Sequence, residues 1–171
     1  MQDISATTHS GTKNVHDTIM AKLEEGEGGI IYWNPPAGTG KFSTANFILG
    51  EIRKKGKIAL AVASNGFSAS MLPGGKTALS TFQIHLSDDN LTSGIKKDSA
   101  EAQLMQETKF IFWDGSKMVH KRAIEAVDRM LRDVRTMPNS VMGGVVLLLT
   151  GDTRPPLWPH VQIVSTYKNV K

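Results

Sequence analysis

Apolar and polar positions follow two different periods along this 171-residue chain. Runs of strand length, in which apolar residues are continuous or nearly so, occur at 30–33, 57–63, 109–114 and 145–150. Between them, apolar residues recur at helical spacing over 15–25, 42–52, 100–107 and 119–134. The run at 145–150 is apolar throughout up to its last residue, which is typical of a strand buried on both faces. Strands that alternate with helices predict an α/β fold with a mainly parallel, doubly wound sheet.

The remaining segments define the domain organisation. Residues 1–14 are rich in Ser, Thr, Asn and Gly and predict a flexible arm, so residues 15–171 are expected to form a single domain. Residues 64–80 are rich in Gly, Ser and Pro and predict turns, and residues 87–99 predict a polar loop.

Composition narrows the function classes. The chain contains no cysteine, which excludes disulfides, a thiol nucleophile and a cysteine-based zinc site. It has no apolar run of 18 residues, so no transmembrane helix and no membrane partner are expected. The net charge of +4 favours contacts with phosphate but is too small to indicate nucleic acid by itself.

Residues 35–42 read Pro-Pro-Ala-Gly-Thr-Gly-Lys-Phe and approximate the phosphate-loop pattern G-x-x-x-x-G-K-[ST] between a strand and a helix. Gly38 and Gly40 allow the backbone to approach phosphate closely, and Lys41 supplies a positive charge. Pro35 replaces the first glycine, and Phe42 replaces the hydroxyl residue that binds Mg²⁺. The loop therefore predicts phosphate binding with little dependence on Mg²⁺, although a chance turn rich in Gly and Pro is the alternative.

Two further strand ends are polar, and ligands bind at the carboxyl ends of strands in such sheets. The apolar run 110–113 is followed by Asp114, as in a strand whose terminal aspartate holds Mg²⁺. The next residue is Gly115, at the position where a hydrolase needs a glutamate to orient water. The run 145–150 leads into Asp152 and Arg154, which are well placed to sense a γ-phosphate. The alternatives are that Asp114 caps a helix and that Asp152 and Arg154 form a local ion pair.

Taken together, these segments resemble the petite-integration-frequency DNA helicases, superfamily 1B motors that include Helitron-type relatives. The resemblance extends over about residues 14–161. It rests on Asp-Thr-Ile-Met at 17–20, Pro-Ala-Gly-Thr-Gly-Lys at 36–41, Lys-Ile-Ala-Leu-Ala-Val-Ala-Ser at 57–64, Leu-Pro-Gly-Gly-Lys-Thr-Ala at 72–78, Ile-Lys-Lys at 95–97, Trp-Asp at 113–114, Glu-Ala-Val-Asp-Arg at 125–129, Leu-Arg-Asp at 131–133 and Gly-Asp-Thr-Arg at 151–154.

The resemblance implies a P-loop RecA-like domain, a three-layer sandwich that binds ATP and Mg²⁺ and grips single-stranded DNA. It implies an ATP-dependent 5′–3′ DNA helicase acting in DNA repair, recombination or telomere maintenance, in the nucleus or elsewhere inside the cell. By position, Asp114 would serve the metal and catalysis together with Arg154. The nucleotide would be held by Gly38, Thr39, Gly40, Lys41 and Asp152. The DNA backbone would face Ser64, Asn65, Gly66, Thr77 and Ser80.

Departures from the family pattern cluster at the catalytic positions. Besides Pro35, Phe42 and Gly115, no adenine-reading Gln lies near Thr12, Leu79 replaces a His, and Pro155 replaces a Gln. The second motor domain, with its arginine fingers, is expected to be absent from this chain. Three hypotheses follow: a helicase motor domain with impaired catalysis, a non-hydrolysing module that binds nucleotide or single-stranded DNA, or an inactive helicase fragment.

Overall fold

The computed structural model describes residues 4–35, 38–85, 91–115, 121–151 and 161–164. Within these residues, six strands form one sheet: β1 (Gly29–Trp33), β2 (Ile58–Ala63), β3 (Lys76–Thr77), β4 (Thr108–Asp114), β5 (Val146–Thr150) and β6 (Val161–Val164). The described α-helices are α1 (Ile4–Glu25), α2 (Lys41–Lys54), α3 (Gly66–Ser70), α4 (Ala78–Phe82), α5 (Ala100–Glu107) and α6 (Lys121–Val134). A 3-10 turn at Val141–Gly144 precedes β5.

The strand order is β3-β2-β4-β5-β1-β6, and every pair is parallel except β1 with β6. The strand that precedes the phosphate loop, β1, is therefore separated from the strand that ends in Asp114, β4, by β5 alone. This arrangement confirms the predicted α/β fold with a mainly parallel sheet. The antiparallel edge strand β6 lies beyond the segments for which the sequence pattern predicted a strand.

Alternating side chains of the central strands enter two separate cores, because successive residues of a strand point to opposite faces. Ile31, Phe110 and Leu148 pack with α1, α2 and α3 on one face. Ile111 and Leu147 pack with α4, α5 and α6 on the other. The molecule is thus the predicted three-layer sandwich, with β4 and β5 buried on both faces.

Two predicted segments differ from the observed backbone. Helix α1 begins at Ile4 rather than at Val15, so residues 4–14 are helical where the sequence predicted a flexible arm. No proline interrupts this stretch, and elongation of an existing helix costs little even for Ser and Thr. Residues 64–80, predicted as turns, contain α3, β3 and most of α4. Their polar residues act as helix N-caps: the side chains of Asn65 and Thr77 accept hydrogen bonds from Ser68 N and Ser80 N.

In the part of the chain that the structure describes, no helix is long and apolar enough to cross a membrane.

Candidate nucleotide and nucleic-acid site

The strand register brings the predicted site residues to one edge of the sheet. Across neighbouring strands, Thr77 pairs with Ala63, Ala63 with Asp114, Asp114 with Thr150, and Thr150 with Trp33. These residues form one row at the carboxyl ends of the parallel strands, where ligands bind in open α/β sheets. The phosphate loop, Asp114 and the segments that follow β2 and β3 therefore share this edge.

Lys41, Asp114 and Thr150 form a closed polar network in the centre of that row. Lys41 Nζ lies 2.7 Å from Asp114 Oδ1, and the Thr150 hydroxyl donates to the same oxygen at 2.8 Å. The Asp114 side chain is only 5% exposed and that of Lys41 22%. A buried carboxylate needs such partners, because its desolvation is otherwise expensive. The side chain of Thr150 was missed in the sequence, where this residue is simply the last of an apolar run.

The phosphate loop has the backbone conformation that its glycines predict. Gly38 and Gly40 have φ of +79° and +76°, in the left-handed region that a side chain disfavours. Gly40 is the N-cap of α2 and makes no side-chain cap, and its carbonyl accepts the hydrogen bond from Thr44 N at 2.9 Å. The first amides of α2 therefore lie at the positive end of the helix dipole, beside Lys41. This is the arrangement that binds phosphate at helix N-termini.

Phe42 lies where a nucleotide-hydrolysing loop has its metal-binding hydroxyl. Its ring is half-buried and packs against the core that also holds α1 and α2. Lys41 Nζ is 5.1 Å from the centroid of this ring. The phenyl group thus supports the lysine by a cation–π contact and offers no oxygen to a metal.

Gly115 differs from the water-orienting glutamate of a hydrolase in its backbone conformation as well as in lacking a side chain. Its φ is +78°, and a Cβ there would lie 3.4 Å from both Cβ and Oγ of Ser64. The Ser64 hydroxyl donates to the carbonyl of Gly115 at 2.8 Å and accepts from Trp113 Nε1 at 3.3 Å. A glutamate at position 115 would therefore need a different local backbone from the one observed here.

The residues predicted to face DNA lie on α3, α4 and the turns that begin them. Asn65 and Thr77 act as N-caps, Gly66 and Ser80 are exposed, and the hydroxyl of Ser64 is engaged with the chain after β4. Sequence reasoning missed Phe67, whose side chain is 78% exposed on the first turn of α3. An apolar residue in a segment rich in Gly and Ser has no periodicity that marks it as exposed.

Of the remaining predicted site residues, Thr39 is among the described residues and two others are not. Thr39 lies in the loop between Gly38 and Gly40. Asp152 and Arg154 lie outside the described residues, as do Pro36 and Ala37 of the loop. The predicted roles of Asp152 and Arg154 therefore stay predictions.

These residues fit the phosphates of a nucleotide better than they fit its Mg²⁺. The loop glycines, the α2 amides and Lys41 suit the oxygens of a phosphate group. A metal finds fewer partners, because Asp114 Oδ1 already accepts from Lys41 and Thr150 and Phe42 supplies no ligand. Among the described residues, no group of three or more His, Cys, Asp or Glu side chains is placed to hold a metal ion. The site therefore fits phosphate and does not by itself form a Mg²⁺ site.

This fold and this loop define a RecA-like P-loop domain. The profile of the PIF1-like helicase family matches residues 8–169, nearly the whole chain. The chain therefore belongs to the PIF1-like helicase family and is a DNA helicase family domain. No curated protein sequence matches it.

Solved helicase structures share the fold. Pif1 helicase from Bacteroides, in complex with ADP-AlF3 and single-stranded DNA, is 25% identical with a TM-score of 0.65, over 84% of this chain and 33% of that one. Pif1 helicase from Candida albicans is 22% identical with a TM-score of 0.67, over 92% and 35%. Bacteroides Pif1 bound to single-stranded DNA is 21% identical with a TM-score of 0.65, over 92% and 34%. The chain thus spans about a third of the length of these structures.

Proposed function

We propose that this chain is a helicase-family domain that binds the phosphates of ATP at residues 38–41 and does not hydrolyse ATP by itself. The observation that carries the proposal is the Lys41–Asp114 ion pair at 2.7 Å beside the left-handed backbone of Gly38 and Gly40. The lysine is held at the N-terminus of α2, where a phosphate would sit, and the relative from Bacteroides is in complex with ADP-AlF3. Binding requires Lys41 Nζ to share its contact with Asp114 or to exchange that contact for a phosphate oxygen.

The same geometry argues against chemistry in this chain alone. Phe42 and Gly115 replace the metal-binding hydroxyl and the residue that would orient water, and the backbone of Gly115 disfavours a side chain. We therefore expect weak ATP binding that depends little on Mg²⁺, with Asp114 serving as the partner of Lys41 more than as a metal ligand. The nucleotide contacts of Thr39 and Asp152 are part of this proposal, whereas the catalytic roles predicted for Asp114 and Arg154 are not expected in this chain alone.

A titration with fluorescent ATP, with and without Mg²⁺, tests the proposal. Saturable binding should be lost in Lys41→Met and should change little when Mg²⁺ is removed. In Phe42→Thr, which restores the hydroxyl, Mg²⁺ should tighten binding. Phe47→Thr is the matched control, because Phe47 lies on the same helix with its side chain 65% exposed and away from the loop. Strong Mg²⁺ dependence in the unmodified chain, or equal binding by Lys41→Met in its folded form, would contradict the proposal.

A second function, contact with single-stranded DNA, is favoured by the exposed surface of α3 and α4. Phe67 presents its ring to solvent at the carboxyl edge of the sheet, next to Asn65 and Gly66. Exposed aromatic rings stack on bases without reading sequence. The hydroxyls of Thr77 and Ser80 are suited to backbone phosphates. Two of the similar helicase structures are in complex with single-stranded DNA.

Fluorescence anisotropy with a labelled oligothymidylate tests this contact. Phe67→Ala should weaken binding by about tenfold, since stacking of one base contributes about 1–3 kcal/mol. Phe47→Ala removes an aromatic side chain of similar exposure on α2 and should leave the affinity unchanged. Equal losses in both variants would show that Phe67 has no specific role.

The cellular setting is proposed from family membership alone. We propose a role in DNA repair, recombination or telomere maintenance, in the nucleus or elsewhere inside the cell. A fluorescent fusion of the chain, imaged with a DNA stain before and after DNA damage, tests this assignment. Exclusion of the fusion from DNA-containing compartments under both conditions would contradict it.

A further inference from the structure

A second concave site lies at the opposite edge of the sheet from the phosphate loop. It is a cleft of about 400 Å³ between the end of α1, the starts of β2, β4 and β5, and the segment after α6. Its cationic side chains are Lys22, Lys57, Lys109 and Arg135, against a single carboxylate, Glu27. We call this the amino-edge cleft.

The three lysines of the cleft have no partner in the described part of the chain. None of Lys22, Lys57 and Lys109 forms an ion pair or a hydrogen bond there, although five other cationic side chains, of Lys, Arg and His, form ion pairs. Lys57 precedes β2 and Lys109 lies near the start of β4, and these two strands are neighbours in the sheet. Adjacent strands lie about 5 Å apart, so the two ammonium groups can reach one anion together.

Arg135, in contrast to the three lysines, has hydrogen-bond partners within the protein. Its guanidinium donates to the carbonyls of Met105 at 3.0 Å and Thr108 at 2.9 Å, at the end of α5, and to that of Gly143 at 2.6 Å, in the 3-10 turn before β5. Compensation of the α5 C-terminus and of this turn therefore explains Arg135. Burial lowers the pKa of Arg135 below its ordinary value, and no carboxylate of the described residues pairs with it. The lysines donate to no such carbonyl, so helix compensation does not account for them.

The floor of the cleft is closely packed and partly apolar. An added Cβ at Gly28 would lie 2.5 Å from the backbone of Gly144, so the two segments are in direct contact. Leu23, Met137 and Val146 supply apolar lining beside the lysines. A concave site with an apolar wall and a few converging cations is the ordinary form of a small-molecule anion site.

We propose that the amino-edge cleft binds a small oligophosphate, either inorganic or as the phosphate end of a nucleotide. Two or three neighbouring phosphates correspond in number to Lys57, Lys109 and Lys22 and are opposite to them in charge. The site is separate from residues 38–41, because the two lie at opposite ends of the parallel strands.

Amide chemical shifts of the ¹⁵N-labelled chain, followed during titration with tripolyphosphate and separately with ATP, test the proposal. Saturable shifts at Gly26 and Gly144 report on the cleft, and shifts at Gly38 and Gly40 report on the phosphate loop. Lys57→Gln with Lys109→Gln should weaken the cleft response about tenfold and leave the loop response unchanged. Equal affinities of the cleft for tripolyphosphate and ATP would show that the phosphates alone are recognised. Tighter binding of ATP would show that the apolar wall of the cleft also contacts the ligand.

The control removes the same charge elsewhere. Lys54→Gln with Lys96→Gln alters two exposed lysines outside the cleft and should not change the response of Gly144. If the double variant in the cleft loses thermal stability, Lys22→Gln alone should still weaken the cleft response. The proposal is overturned if tripolyphosphate causes no saturable shift at Gly144, if both double variants weaken it equally, or if only a DNA oligonucleotide binds there. Failure at Gly38 and Gly40 alone would count against the proposed function and leave this one standing.

Discussion

The two edges of the sheet use their cations in opposite ways. At the carboxyl edge, Lys41 is satisfied within the protein by Asp114, whose carboxylate is buried and also accepts from Thr150. At the amino edge, Lys57 and Lys109 line an open cleft and have no ion-pair partner among the described residues. The difference follows from burial: a charge inside the sheet end must be paired, whereas a charge at an open cleft is solvated and stays available to an anion. The strand ends at the carboxyl edge are therefore joined by a buried ion pair, and the segments at the amino edge by the close backbone contact of Gly28 with Gly144.

The largest expected effect tests the backbone contact at the amino edge. Gly28→Ala places a Cβ 2.5 Å from the Cα and carbonyl carbon of Gly144 and 2.9 Å from the carbonyl oxygen of Val141. Because all three are backbone atoms, the turn before β5 must move. We expect the free energy of unfolding to fall by about 2–3 kcal/mol, measured by urea denaturation.

Gly50→Ala is the matched control for this variant. Gly50 lies inside α2, and a Cβ there would meet nothing within 4 Å. The substitution should stabilise the chain by about 0.5–1 kcal/mol, because Ala has the higher helix propensity. If both variants are equally stable, the close approach of Gly28 to Gly144 does not hold the amino edge.

The next largest effect concerns the paired cation at the carboxyl edge. Lys41→Met keeps most of the side-chain volume and leaves the buried Asp114 carboxylate with the Thr150 hydroxyl but without its cation. Removing one member of a buried pair is costly, and the partial exposure of Lys41 reduces the cost, so we expect a loss of about 1–3 kcal/mol. The same substitution at the amino edge, Lys57→Met, should change stability by no more than about 0.5 kcal/mol. Comparable losses in the two variants would remove the contrast between the edges.

Most of the fold was predictable from the sequence, because its central strands are long apolar runs. The strands ending in Asp114 and Thr150 were predicted within a residue of their observed ends, since burial on both faces leaves little ambiguity. Short elements were not predictable in the same way. Helices α3 and α4 have only five residues each, and their N-caps Asn65 and Thr77 belong to the residue types that also mark turns.

The candidate site was predictable in its composition but not in its connections. The motif at residues 35–42 identified Gly38, Gly40 and Lys41, and the apolar run at 110–113 identified Asp114. The shared use of Asp114 Oδ1 by Lys41 and Thr150 depends on strand register, which one sequence does not specify for strands distant along the chain. The positive φ of Gly115 and the exposure of Phe67 likewise depend on the tertiary structure.

The smallest expected effect concerns a third arrangement of charge, between α1 and α2. His16 Nε2 lies 2.7 Å from Glu51 Oε2, and its Nδ1 lies 3.1 Å from Asp17 Oδ1. Burial lowers the pKa of His16, but the hydrogen bonds to Glu51 and Asp17 and their charges outweigh burial, so the pKa lies above its ordinary value of 6.5. The hydrogen bond from His16 is the main cause that holds the pKa of Glu51 below its ordinary value of 4.5.

The signs of these two shifts give a stability window. A raised histidine pKa contributes stability that is complete below pH 6.5 and is lost as the pH rises through the folded-state value. A lowered glutamate pKa contributes stability that is complete above pH 4.5 and is lost as the pH falls through the folded-state value. His16→Gln should therefore lower the melting temperature most between pH 4.5 and 6.5, by about 1–2 °C for a partly exposed pair, and hardly at all at pH 9. Lys55→Gln removes a cation 3.5 Å from Glu51 and is the control, with an effect that should be the same at pH 5.5 and pH 9. A loss in His16→Gln that is equally constant with pH would mean that packing against Phe47, rather than charge, joins the two helices.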